Sequence, residues 1–295
     1  MAYEEQHSTP IWIDEIPEGE FVSYYPSYEA GKYFDLFEKK VFPNETVGDL
    51  TYYVYDPIKH GAAADGKYPV IFFYHGRGNS FVGELVINYS MAELYSSPEY
   101  QKSMGGAYLV TVVANEEQDE NGRTTSSWNP DYCKPLIDLK KAFYKEHADN
   151  AGKSFFMGTS AGAYMVWTML PEYYTEMDVI VPIAGSNIPD DETLEKVKEH
   201  GTEVFIIHGR HDELVPFDYS IGDREEHLKS LSNFTCYFPE WVHNADGGIA
   251  HLDYGAQMGQ HCVNNQVQCN LIYDDGTPYD ERWPEGMTGW IRDHA

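Results

Sequence analysis

The stretch "KSFFMGTSAGAYMVWTMLPEYY", residues 153–174, passes within a few residues from one kind of backbone to another. KSFFMG is a short, continuous apolar run of the kind found in strands buried on both faces. AGAYMVWTMLPEYY reads as a helix. Between them Gly158-Thr159-Ser160-Ala161-Gly162 spells Gly-x-Ser-x-Gly. A sharp strand-to-helix turn strains its central residue, and flanking glycines let the neighbouring elements come close enough to hold it. The hydroxyl is then presented above the strand's end, with the helix N-terminus beside it. Ser160 is therefore a candidate nucleophile, and the Ala161 N–H a candidate donor to an oxyanion.

Outward from this junction, short apolar runs alternate with helical periodicity. LTYYVYDP (50–57), YPVIFFYHG (68–76) and GAYLVTVVAN (106–115) read as strands, the last two buried on both faces. KPLIDLKKAFYKEH sets Leu136, Leu139, Ala142 and Phe143 on one helical stripe. Beyond the serine follow a strand (MDVIVPIAG), a helix with an acidic start and a glycine stop (DETLEKVKEHG), and strands TEVFIIHG and FTCYFPEW. Strands separated by helices imply right-handed crossovers and a mostly parallel sheet, an α/β protein. The whole chain, 1–295, reads as one domain. Its first 49 residues, rich in Tyr and Phe, are expected to wrap the sheet or add antiparallel edge strands. Residues 244–283 form a long Gly/Asp/Asn-rich insertion before a final helix, PEGMTGWIRDH, and loops of that length are often functional.

A serine hydroxyl needs a base, and the base needs an acid to hold its tautomer. IIHGRHDELVP (206–216) places Asp212 on the loop after a strand, at the edge where catalytic groups of open α/β sheets collect. FFYHGRGNS (72–80) ends another buried strand in His75-Gly76-Arg77-Gly78, a glycine-rich loop whose Arg77 main chain can supply the second oxyanion donor. His75 reads as bonding that loop. The base must come from beyond Asp212. His227 falls in a surface helix, and His251 has no anchor beside it. His243 closely follows the last strand, whereas His261 sits behind a Gly-x-His turn and directly before a helix-like run (MGQHCVNNQVQCNLI). His261 is preferred, with His243 the alternative.

The order of LTYYVYDP, KYPVIFFYHGRGN, GTSAG, HGRHDELVP and a late histidine resembles the α/β-hydrolase superfamily, within it the compact feruloyl esterase, polyhydroxybutyrate depolymerase and predicted-peptidase branch. The resemblance covers roughly residues 45–243 and the final helix. It implies an eight-stranded, mostly parallel sheet flanked by helices, Ser, Asp and His in chain order, a lidless or lightly covered pocket, and hydrolysis of carboxylic esters with no cofactor. Residues 244–283 depart from the family's pattern, which leaves the identity of the histidine open. The activity expected is that of a serine carboxylesterase acting on a small-molecule or carbohydrate-linked ester, with hydroxycinnamoyl esters in view. A peptidase or thioesterase would use the same groups, and a noncatalytic binding protein could share the scaffold. Tyr24, Tyr25, Tyr28, Tyr33, Phe34, Trp241 and Tyr254 are candidates to line a pocket for a planar acyl group.

Composition narrows the partners. Twenty Lys and Arg against 48 Asp and Glu give a net charge of −28, which repels phosphate backbones and anionic lipid, so neither nucleic acid nor membrane is an expected partner. No window approaches the roughly 18 apolar residues of a membrane span, and the N-terminus lacks a basic, apolar leader, so the chain reads as cytoplasmic; a mature secreted form with its leader removed would read the same. The four cysteines include no Cys-x-x-Cys pair, the histidines lack His-Glu-x-x-His spacing, and NEEQDENGR (115–123) and DDGTPYDE (274–281) lack the ligand pattern of a calcium loop. No metal is expected.

Overall fold

The computed structural model describes residues 21–23, 30–115, 117–118, 124–126, 128–251 and 258–295. Eight strands form the main sheet: β1 Glu38–Phe42, β2 Leu50–Tyr55, β3 Tyr68–Tyr74, β4 Tyr108–Val112, β5 Ala151–Thr159, β6 Val179–Ile183, β7 Glu203–Ile207 and β8 Phe234–Tyr237. Their spatial order is β1-β2-β4-β3-β5-β6-β7-β8. β1 and β2 pair antiparallel, as do β2 and β4, and every other neighbour is parallel. The sheet is thus mostly parallel, as the alternating pattern predicts.

The period-2 geometry of strands divides the apolar residues between two faces. Phe72, Tyr74, Val110, Phe156, Ile180 and Ile206 pack beneath helices α1 Cys133–Glu146, α2 Ala161–Tyr173 and α3 Asp191–His200. Ile71, Phe73, Leu109, Phe155, Val181 and Phe205 face the other side, against residues 86–104, Val263, Val267 and helix α4 Gly286–His294. Helices on both faces explain why β3 and β4 are buried along their whole length and almost wholly apolar, Thr111 of β4 being hydrogen-bonded to Ser90. Asp190 caps α3 by accepting from the Thr193 N–H, and left-handed Gly201 ends it.

Three expectations change. Ala142 is exposed on α1, whose buried stripe is instead Leu136, Ile137, Leu139 and Phe143, because the stripe is centred nearer residue 136. In the first 49 residues β1 is the expected antiparallel edge strand, but Phe21–Ser23 pairs in parallel with Ile249–His251 in a separate two-stranded sheet. The 244–283 stretch is more ordered in structure than a loop. It holds the strand Ile249–His251, a 3-10 turn Met258–His261 and a helix Asn264–Gln268. Glu117–Gln118 and Thr124–Ser126 also pair, antiparallel. Among the described residues no helix is long and apolar enough to cross a membrane.

After β3 the chain turns to β4 on one side and returns to β5 on the other, so the loops following β3 and β5 diverge from neighbouring strands. In open α/β sheets the functional groups collect at such a switch point, at the carboxyl ends of the strands. Residues 75–78 and Ser160 lie there.

Candidate active site

Ser160 adopts φ 54° and ψ −114°, a conformation costly for a residue with a side chain. Two glycines make it possible. A Cβ on Gly158 would collide with the Gly162 carbonyl, and one on Gly162 with the Tyr74 carbonyl. The turn is tied down on both sides: the Ser160 N–H donates to the Ile183 carbonyl at 2.8 Å, and the Tyr164 N–H to the Ser160 carbonyl at 3.0 Å. Ala161 is the first residue of α2, so its N–H is one for which the helix itself supplies no acceptor.

His261 joins this serine to Asp212. Its Nε2 lies 3.0 Å from Ser160 Oγ, and its Nδ1 lies 2.8 and 2.9 Å from the two Asp212 carboxyl oxygens. The ring is 9% exposed and Asp212 3%. An Nδ1–H donating to Asp212 leaves the Nε2 lone pair facing the serine hydroxyl. Asp212 Oδ1 also accepts the N–H groups of Leu214 and Val215, at 2.9 and 2.8 Å. The same carboxyl therefore shapes its own turn and orients the histidine, and both N–H and imidazole partners favour one rotamer.

Behind Asp212 stands His208, 3.5 Å from Oδ2, donating from Nε2 to the Val215 carbonyl at 2.8 Å. Burial pushes its pKa down despite the neighbouring carboxylate. Burial also raises the Glu213 carboxyl to about 9, so that group is neutral at pH 7 beside Asp212. His208 is marked in the sequence only by its place four residues before Asp212, in His-Gly-x-x-Asp. Gln260 is marked by nothing in its neighbouring residues.

The loop after β3 is held by His75. The Ala114 N–H donates to its Nε2 at 3.1 Å, so the ring proton sits on Nδ1 and is donated to the Gly76 carbonyl at 2.7 Å. Burial lowers the pKa of His75 to about 4, which keeps the ring neutral. Trp128 donates to the His75 carbonyl at 2.8 Å and packs against its ring. No described peptide bond is cis, so the Arg77 N–H points opposite to the Gly76 carbonyl that His75 holds.

His243 takes no part in this relay. It follows β8, bridges to Ile249, and its carbonyl accepts from Gln266 Nε2 and the Tyr279 hydroxyl, both at 3.2 Å. Burial lowers its pKa. Of the aromatic candidates, Trp241 stacks on His211 at 3.9 Å beside Asp212, while Tyr33 and Phe34 lie near the N-terminal edge, where the Tyr33 N–H donates to Glu93. Tyr24, Tyr25, Tyr28 and Tyr254 lie outside the described residues. The side chain of His251 does as well.

Strand order, the strained serine after β5 and the loops after β7 and β8 define an α/β-hydrolase fold. Solved structures share it. The chain is similar to a thermostable esterase (TM-score 0.55, 19% identity, covering 81% of this chain and 61% of the other). It is also similar to the BES protein from Bacillus cereus (0.52, 13%, 80% and 94%) and to the Pyrococcus horikoshii acylaminoacyl peptidase (0.50, 16%, 80% and 41%). The chain thus spans about three fifths of the esterase and two fifths of the peptidase. No protein-family model matches the sequence, and no curated protein matches it.

Proposed function

We propose that this protein is a serine hydrolase that cleaves carboxylic esters through an acyl-enzyme. The observation that carries the reading is the unbroken path Ser160 Oγ, His261 Nε2, His261 Nδ1, Asp212, with each contact at hydrogen-bond distance. His261 takes the Ser160 proton as Oγ attacks the ester carbonyl, then returns it to the departing alcohol. Water repeats the attack on the acyl-enzyme with the same base. The Ala161 and Arg77 N–H groups stabilise the oxyanion, His75 holding the second through the Gly76 carbonyl. Ser160→Ala should lower the rate on p-nitrophenyl butyrate by about 10⁴- to 10⁶-fold with the fold intact, and should abolish covalent labelling by a fluorophosphonate. Activity within tenfold of wild type, or labelling elsewhere, defeats the reading.

For the substrate we propose hydroxycinnamoyl or related plant-derived esters. The resemblance to feruloyl esterases and the planar Trp241–His211 stack beside the Asp212 loop support this. Neighbours of the same fold are named as an esterase and an acylaminoacyl peptidase, so the leaving group is the second axis to test. Methyl ferulate, acetylated xylan, p-nitrophenyl butyrate and an aminoacyl amide compared side by side decide it. Preference for the amide makes the protein a peptidase.

A further inference from the structure

His261 must meet two partners fixed by different strands, Ser160 at the end of β5 and Asp212 after β7. The chain reaches it by an indirect route. After β8 it passes Val242 and His243, makes a hairpin closed by Asn244 N–H to Gly248 carbonyl (2.8 Å) and Ala250 N–H to Val242 carbonyl (2.8 Å), and returns to residue 261. A long return path has many ways to place its end. Something must set where the histidine arrives.

Gln260 occupies that position. It is fully buried, at 0% exposure, and its amide is saturated by the hairpin. Oε1 accepts the Val242 N–H at 2.8 Å, while Nε2 donates to the Val242 carbonyl at 3.1 Å and to the Ala250 carbonyl at 3.0 Å. A carboxamide offers a donor and an acceptor in the array of a peptide group, so Gln260 pairs with Val242 as a neighbouring peptide would, and its second amide hydrogen reaches the Ala250 carbonyl on the other strand of the hairpin. The Asp212 loop closes on the same point. A Cβ on Gly209 would lie 3.0 Å from the Gln260 carbonyl and 3.1 Å from Val242 Cγ2. The Asp loop, the segment after β8 and the histidine turn therefore meet in one packed junction.

We propose that Gln260 is a positioning residue that sets the height of His261 between Ser160 and Asp212. The inference rests on the hydrolase reading above. Its consequence is a loss in turnover without a loss in substrate binding, since Gln260 acts through its neighbour and is itself fully buried.

Gln260→Leu keeps the volume and removes the amide. With p-nitrophenyl butyrate, kcat should fall roughly 10- to 100-fold while KM stays within about threefold, as expected for a displaced catalytic group. Gln260→Glu gives a second readout. A protonated carboxyl still accepts from Val242 and donates to a carbonyl, whereas an ionised one faces two carbonyl oxygens. A carboxyl buried this deeply stays protonated at pH 6, so Gln260→Glu assayed at pH 6 should recover at least about fivefold of the kcat lost in Gln260→Leu. Gly209→Ala, pressing on the junction from the other side, should lower kcat in the same direction. A folded Gln260→Leu with kcat within about threefold of wild type overturns the proposal. If Gln260→Leu does not fold, Gln260→Met takes its place: kcat within about threefold of wild type overturns the proposal, and a fall of about tenfold or more with KM held supports it. Fluorophosphonate labelling of the wild-type serine separates the two readings: without it the hydrolase reading and this inference fall together, and with it unaffected Gln260 variants refute this inference alone.

Discussion

Replacing Asp212 with asparagine tests the relay and the turn separately, because the one carboxyl serves both. In Asp212→Asn the side-chain oxygen would still accept from Leu214 and Val215, as Oδ1 does at 2.9 and 2.8 Å, and so keep the turn. The new amide nitrogen would face His261 Nδ1, where a carboxyl oxygen lies at 2.8 Å in the native protein. The ring proton then moves to Nε2, and a donor faces the Ser160 hydroxyl in place of an acceptor. The expected loss in kcat is about 10⁴-fold, or about 5.5 kcal/mol of transition-state stabilisation at about 1.36 kcal/mol per decade. Asp212→Ala removes the same orientation and also leaves two backbone N–H groups without their acceptor. At about 1 kcal/mol for each bond, the alanine variant should be about 2 kcal/mol less stable than the asparagine variant and melt a few degrees lower. Initial rates on p-nitrophenyl butyrate, fluorophosphonate labelling rates and thermal melts on both variants check the pair. An Asp212→Asn protein within tenfold of wild type refutes the tautomer argument, and equal melting of the two variants refutes the turn argument.

Single alanine substitutions should separate the two histidines: His261→Ala should lose about as much activity as Ser160→Ala, and His243→Ala less than about tenfold, because members of one relay fail together. Ser160→Gly should raise the melting temperature while abolishing activity, since glycine adopts φ 54° without the strain of a side chain, a net gain of about 1 kcal/mol; a lower melting point contradicts this. Acid stability should show His75. Its folded pKa of about 4 lies below the ordinary 6.5, so its contribution is complete above pH 6.5 and is lost as pH falls toward 4. The loss is about 3 kcal/mol across that window, and denaturant titrations at several pH values should show a shallower slope for His75→Gln than for wild type.

The elbow could be read from the sequence because its requirements are local. A buried strand, a helix and two glycines lie within a few residues, and the collision a Cβ would make at Gly158 is with Gly162 inside the motif itself; only the need for glycine at 162, set by the Tyr74 carbonyl on β3, comes from elsewhere in the chain. Asp212 was legible for a similar reason, since it lies on the short loop after β7, which ends at Ile207, and accepts from N–H groups two and three residues ahead. Strand alternation carried the parallel sheet, because full burial of β3 and β4 imposes an almost continuous apolar run, broken in β4 only by Thr111. The helical stripe was less exact. Ala142 fits the spacing but is exposed, as small residues at a stripe's margin carry little information about which side they face.

Which histidine faces Ser160 was decided by the tertiary structure. His243 and His261 both follow Asp212, and chain order sets neither distance nor direction across a long excursion. The pairing of Phe21–Ser23 with Ile249–His251, the hairpin after Val242 and the Gln260 amide join residues far apart in sequence, and no local pattern announces such contacts. Identity and periodicity along the chain determined which groups could do the chemistry. Closure of the chain on itself decided which of them meet, because a hydrogen bond near 3 Å depends on where three separate loops end in space.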